Sequence, residues 1–184
     1  ALEQAIFRVV PGAERSQAFV YEEGKGFSPV EGQAAEGEIV YATYDAQGEL
    51  VGFALTGAGQ GYADIIRILY GYDPQEEEVV GFYVLESKET PGLGDKIEKD
   101  PAFLANFEAL DVTLEGDKLR NPVVTVKSGE KEHPWQIDGI TGATISSRTI
   151  GEILDKSVEK WAPRVKENLE DLKVNGTRTS GPKN

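Results

Sequence analysis

Cysteine and methionine are both absent from this 184-residue chain, and His133 is its only histidine. Without thiols there is no disulfide, no Cys-ligated zinc, no thiolate-held iron–sulfur cluster and no cysteine nucleophile. One imidazole falls short of the several that zinc hydrolases use, and any Ser-His-Asp triad would have to be built on His133. Basic residues are scarce as well: 19 Lys and Arg face 32 Asp and Glu, leaving a net charge of −13. That balance opposes a nucleic-acid partner, whose phosphates demand a basic surface, and opposes docking of this domain on an anionic membrane. No apolar run approaches the length of a transmembrane helix. A chain that opens on Ala1 and contains no Met is expected to be the remainder of a longer translation product. The piece ahead of it could have carried a signal or an anchor.

What is present has an ordinary folded composition, with 39% hydrophobic and 28% charged residues, and enough length for one well-filled core. Residues 1–10 space Leu2, Ile6, Val9 and Val10 as a short helix that Pro11-Gly12 stops. Residues 13–37 read mostly as loop and connector, with one short strand near Ala18–Tyr21. A hairpin follows: Glu38–Tyr44, a turn over Asp45–Gly48, and a return over Glu49–Leu55. Gly57–Tyr62 reads as a glycine-rich turn between strands. Tyr62 stands where the third glycine of a dinucleotide fingerprint would fall. Ala63–Tyr70 and Val79–Leu85 are further strands. Successive strands without intervening helices predict an α+β fold: a single domain, mainly antiparallel sheet with flanking helices.

Asp100-Pro101 begins a helix expected to reach Leu110, with Asp100 as its cap. A short strand and turn are expected at Asp111–Leu119 and another strand at Val123–Val126, and Trp135–Asp138 leads into a turn. From Ile145 a long helical pattern runs through Ile150, Ile153, Leu154, Val158 and Trp161, with Pro163 permitting a kink. Residues 173–184 have no apolar period and read as a flexible tail containing the sequon Asn175-Gly176-Thr177.

Two stretches carry chemistry. The first is Asp138-Gly139-Ile140-Thr141-Gly142-Ala143-Thr144-Ile145-Ser146-Ser147, which sets the Thr144 hydroxyl near a helix start. Unpaired N–H groups and the positive end of the helix dipole suit an anion there, phosphate above all. Alone, the motif is equally a capped turn, with Thr141 as N-cap and Gly142-Ala143 packed closely. The second is Glu89-Thr90-Pro91-Gly92-Leu93-Gly94, followed by Asp95-Lys96-Ile97. Pro91 stiffens this loop, and Gly92 and Gly94 remove side chains on either side of Leu93. No nucleophile elbow is present, and the many carboxylates single out no acid–base pair.

Together and in this order, the two stretches resemble the FMN-binding domain family found in the G subunit of the Rnf electron-transport complex and in the C subunit of the sodium-pumping NADH:quinone reductase. The family hallmark stands here as Thr141-Gly142-Ala143-Thr144 preceded by Asp138, and the second segment as Glu89 to Gly94. The likeness runs from about Glu38 to Trp161, which sets an FMN-binding domain at 38–172 after the N-terminal helix and connector. The continuation Gly94-Asp95-Lys96-Ile97 looks more like the Rnf protein. The resemblance implies that Thr144 carries FMN through a phosphoester, made by a separate magnesium-dependent flavin transferase. It implies supporting roles for Thr141, Gly142, Ala143, Glu89, Thr90, Gly92, Leu93, Gly94 and Asp138. Leu93 would pack on the ring, Thr90 would bond its edge, and Asp138 would shape the turn or guide the transferase. It further implies an electron carrier with no reaction of its own, on the extracytoplasmic side of the inner membrane, held by an anchor and partnered by other subunits of a redox complex. The corresponding quinone-reductase protein, and a non-redox binding or sensor module with the same fold, are the alternatives.

Overall fold

The computed structural model describes residues 2–30 and 37–173. Helix α1 (Leu2–Val9) precedes six strands: β1 (Arg15–Glu22), β2 (Gly26–Pro29), β3 (Glu38–Tyr44), β4 (Leu50–Gln60), β5 (Ile65–Asp73) and β6 (Glu78–Glu86). Two short helices, α2 (Lys96–Lys99) and α3 (Pro101–Ala105), lead to β7 (Leu110–Asp111). These seven strands form one sheet in the order β2-β1-β3-β4-β5-β6-β7, antiparallel throughout. Strands β8 (Leu114–Glu115) and β9 (Lys118–Leu119) make a small hairpin. Strands β10 (Val124–Val126) and β11 (Gln136–Asp138) pair in parallel beside the final helix, α4 (Thr144–Glu167). The fold is the α+β arrangement that the strand succession predicts.

Alternation along the central strands divides the core in two. Phe53, Leu55, Ile66, Ile68, Tyr70 and Tyr72 point to the α4 face, where they meet Ile150, Leu154 and Val158. Ala54 and Leu69 point the other way and meet Ala5, Ile6 and Val9 of α1. Each helix approaches the sheet where glycines have removed side chains. A Cβ on Gly57 or Gly59 would lie 2.6 or 2.8 Å from Ile153 of α4. A Cβ on Gly71 or Gly81, which are register partners, would lie 1.8 or 2.2 Å from the Val9 carbonyl oxygen. Both helices therefore rest against the sheet backbone at contacts that any side chain would obstruct.

This packing corrects several local expectations. Gly57–Gln60 is the second half of the 11-residue strand β4, and the turn begins only at Gly61, whose N–H donates to the Asp64 carbonyl at 2.9 Å. Residues 13–30 hold two paired strands rather than a connector. Tyr21 and Phe27 stack edge-on at 5.1 Å and both adjoin Trp161 of α4, a stabilising contact invisible from the local pattern. The helix after Asp100 stops at Ala105, because Leu110 is drawn into β7 against Val79. The Asp100 cap itself is present, its carboxylate accepting from Ala102 N–H at 2.9 Å and Phe103 N–H at 3.4 Å. Helix α4 runs through Pro163 to Glu167. The expected tail and its sequon lie outside the described residues, save Lys173.

Candidate functional site

The Thr141–Thr144 segment is a turn followed at once by a helix. Ala143 N–H closes it onto the Ile140 carbonyl at 3.0 Å, and Gly142 takes φ +85°, which glycine adopts without strain. Ser147 locks the turn from below: its hydroxyl donates to the Ala143 carbonyl at 2.6 Å and accepts from Ile140 N–H at 3.2 Å. The residue at the cap position is Ala143, and no side chain among the described residues caps α4. Thr141 is thus not the N-cap that its residue type suggested. The backbone bond from Ser147 N–H to the Ala143 carbonyl, at 3.0 Å, closes the first turn. The N–H groups of Thr144, Ile145 and Ser146 lie ahead of that bond, at the positive end of the dipole. Thr144 is exposed, and its hydroxyl makes no hydrogen bond among the described residues.

Two cavities meet at this hydroxyl. One, of about 370 Å³, is walled by Tyr62, Glu89, Thr90, Leu93, Gly94 and Ile145. Three of its lining side chains are large and exposed: Tyr62 at 71%, Leu93 at 52% and Ile145 at 50%. The other, of about 520 Å³, is walled by Thr125, Lys127, Ser128, Glu130 and Arg148, and Thr144 and Gly142 border both. Lys127 and Arg148 form no ion pair among the described residues. Thr144 therefore stands on a ridge between an apolar-rimmed hollow and a hollow bearing two cations. Both fall in the size range of small-molecule sites.

Glu89 holds the first hollow together. It is buried, and its carboxylate accepts from Tyr62 N–H at 3.1 Å, Ala63 N–H at 2.9 Å and the Ser146 hydroxyl. Burial pushes its pKa up, but the hydrogen bonds from Ser146, Ala63, Tyr62 and Asp64 outweigh that and hold it below the ordinary 4.5. Gly94 lets this happen, since a Cβ there would meet Glu89 Cβ and Ser146 Oγ, each at 2.8 Å. The loop is closed by Leu93 N–H on the Thr90 carbonyl at 3.0 Å and by Gly92 N–H on the Asp95 carboxylate at 2.8 Å.

Of the residues singled out from sequence, Glu89, Thr90, Leu93, Gly94, Gly142, Ala143 and Thr144 line the first cavity. Thr141 borders the second. Gly92, at φ +79°, sits at the exposed tip of its loop and lines neither. Asp138 lies in a smaller recess of about 230 Å³ with Lys96 and Thr141. Its carboxylate accepts from Gly129 N–H at 2.8 Å, and Asn106 bonds both its N–H and its carbonyl. Asp138 thus shapes the chain entering the turn. Tyr62, Ile145, Lys127 and Arg148 were missed. Arg148 was findable, four residues beyond Thr144 on the same helix face. Lys127 reaches the site only through the β10–β11 pairing, which carries no local signal. His133 stacks on Trp135 with ring centroids 4.5 Å apart and lines neither cavity beside Thr144, so no imidazole serves that hydroxyl.

An alcohol free of internal bonds at an uncapped helix start, with room on both sides, suits a phosphorylated ligand with a large planar group, and comparison with known proteins agrees. The family model for the FMN-binding domain matches residues 61–159, more than half of the chain, and the chain belongs to that family. It is 27% identical over 163 residues to the G subunit of the ion-translocating oxidoreductase complex of Methanosarcina acetivorans, covering 85% of this chain and 79% of that protein. It is 30% identical over 117 residues to the G subunit of the Na(+)-translocating ferredoxin:NAD(+) oxidoreductase complex of Acetobacterium woodii, covering 63% of this chain but only 52% of that protein. In fold it matches the crystal structure of the C subunit of the Na(+)-translocating NADH-quinone reductase from Parabacteroides distasonis, with a TM-score of 0.64 at 22% identity, over 83% of this chain and 78% of that one. Among the described residues no helix is long and apolar enough to cross a membrane.

Proposed function

We propose that this domain carries FMN on the Thr144 oxygen through a phosphoester, and that it relays electrons as the G subunit of an ion-translocating oxidoreductase complex. The observation that carries the reading is the Thr144 hydroxyl itself: exposed, without a hydrogen bond among the described residues, and set at the uncapped start of a 24-residue helix. A phosphodiester there keeps one negative charge, which the N–H groups of residues 144–146 and the cations of Lys127 and Arg148 suit. The uncharged ring then belongs on the other side, against Leu93, Ile145 and Tyr62, with Thr90 beside it. Glu89 reinforces that orientation: it stands in the first hollow with no cation among the lining residues, whereas the second sets Lys127 and Arg148 beside its one carboxylate, Glu130.

When bound, the flavin supplies one- and two-electron chemistry, and the protein supplies position and electrostatics. No base adjoins the Thr144 hydroxyl among the described residues, and an alcohol is a weak nucleophile without one. A separate flavin transferase is therefore part of the proposal, acting on the exposed ridge where Thr144 is accessible. Covalent retention keeps the cofactor local in a compartment that does not replenish it. The domain accordingly belongs on the extracytoplasmic side of its membrane, alongside the other subunits of the complex.

The test is the intact mass of protein made alongside an active flavin transferase. The expected result is the sequence mass plus one FMN less one water, with yellow colour that survives denaturation. Thr144→Val should return the bare sequence mass. A covalent flavin that persists in Thr144→Val, or an unmodified wild-type chain beside a working transferase, overturns the reading.

A further inference from the structure

Glu89 is more than a loop clasp, and this inference rests on the placement of the flavin ring proposed above. Its carboxylate takes hydrogen bonds from Tyr62, Ala63 and Ser146, and forms no ion pair among the described residues. The nearest ion pair in sequence is Lys88 with Asp64, at 3.6 Å, and it leaves Glu89 alone. These donors, and the Asp64 backbone N–H beside them, are neutral dipoles, so they stabilise the charge without cancelling it. The residue is 5% exposed, so little of it meets solvent directly. It stands in the wall of the cavity whose rim is Tyr62, Leu93 and Ile145. The opposite cavity carries the cations Lys127 and Arg148 and one carboxylate, Glu130.

We infer that Glu89 is a fixed negative charge facing the ring cavity, and that it lowers the flavin's reduction potential. Electrons added to the ring raise its negative charge, and an anion without a cation in the wall of the same cavity disfavours that. Glu89 is therefore a positioning residue with an electrostatic role. It seats the 60–64 turn and the first turn of α4, and it biases the cofactor between them. The hydroxyl of Ser146 partly offsets its field.

Two substitutions separate charge from scaffold. Glu89→Gln keeps the shape and removes the charge, so the potential should shift positive. Ser146→Ala keeps the charge and removes one dipole that offsets it, so the potential should shift negative. A purely structural role would move both variants the same way or neither. The measurement is a spectroelectrochemical titration of covalently loaded protein, which reads the bound flavin whatever the loading yield. If Glu89→Gln does not fold, Ser146→Ala alone decides. A negative shift there supports the inference, and an unchanged or positive potential overturns it. An unchanged or negative potential in loaded Glu89→Gln overturns it as well. Either failure leaves the covalent mass at Thr144 intact, so the site assignment and the charge assignment fall separately.

Discussion

The two helices that cover the sheet end in opposite ways. Helix α1 drives its last carbonyl onto the sheet, with the Val9 oxygen seated over the paired glycines Gly71 and Gly81. Helix α4 lies over Gly57 and Gly59 along its middle, but its start has no side-chain cap and presents Thr144 and Ile145 between two cavities. One helix end is covered by packing; the other is anchored on one side by the buried Ser146 and Ser147 and leaves only Thr144 and Ile145 exposed. A terminus buried against backbone contributes stability and can bind nothing, whereas an open terminus offers N–H groups and dipole to a ligand and contributes less to folding. The site is built on the two residues of that helix start, Thr144 and Ile145, that packing leaves exposed.

That contrast can be broken most forcefully at Gly71. Gly71→Ala places a carbon where the Val9 carbonyl now sits, and backbone cannot swing aside as a side chain can. A loss of about 3 kcal/mol is expected, at the upper end for overpacking, read from urea unfolding. Amide exchange over residues 2–10 should accelerate while flavin loading at Thr144 persists. Gly59→Ala should cost less, about 1–2 kcal/mol, since its obstacle is the Ile153 side chain. In an Ile153→Ala background the same change should be close to neutral. A double-mutant cycle reads the coupling, and additive costs would show that Ile153 is not the obstacle.

Acid should sharpen the contrast next. The folded pKa of Glu89 lies below 4.5, so its stabilisation is fully present above 4.5. Below that, the unfolded chain takes up the proton first, and the contribution declines until the folded carboxyl is protonated too. The stability difference between wild type and Glu89→Gln should therefore narrow as pH falls below 4.5, as followed by unfolding midpoints across pH. The smallest effect on stability belongs to Thr144→Val. An exposed side chain without internal bonds should change unfolding by no more than about 0.5 kcal/mol in unloaded protein. A large loss there would mean that the helix start is structural after all.

Much of this was legible in the chain. The turn chemistry of Asp45–Gly48, the Asp100-Pro101 helix start and the apolar stripe from Ile150 to Trp161 are local patterns, and the structure contains them. The glycines of β4 misled because a glycine-rich stretch ordinarily breaks a strand. Here the missing side chains make room for α4, a reason that lies roughly 95 residues downstream. The extent of β1 and β2 was obscured because Trp161, which their aromatic rings meet, is remote in the chain. At the site, the motif residues could be picked out, but their division between two hollows of unlike character could not.

The amino-acid order by itself determined the chemistry excluded at the outset, the turn before Thr144 and the helical pattern that follows it. These depend on backbone preferences acting over a few residues. Only the tertiary structure decided that Glu89 is buried against Tyr62, Ala63 and Ser146, at separations of 26 to 57 residues. It alone brought Lys127 to the hollow that Arg148, on the helix of Thr144, also lines. Burial and electrostatic surroundings arise when distant segments exclude water together, and no local pattern encodes that exclusion.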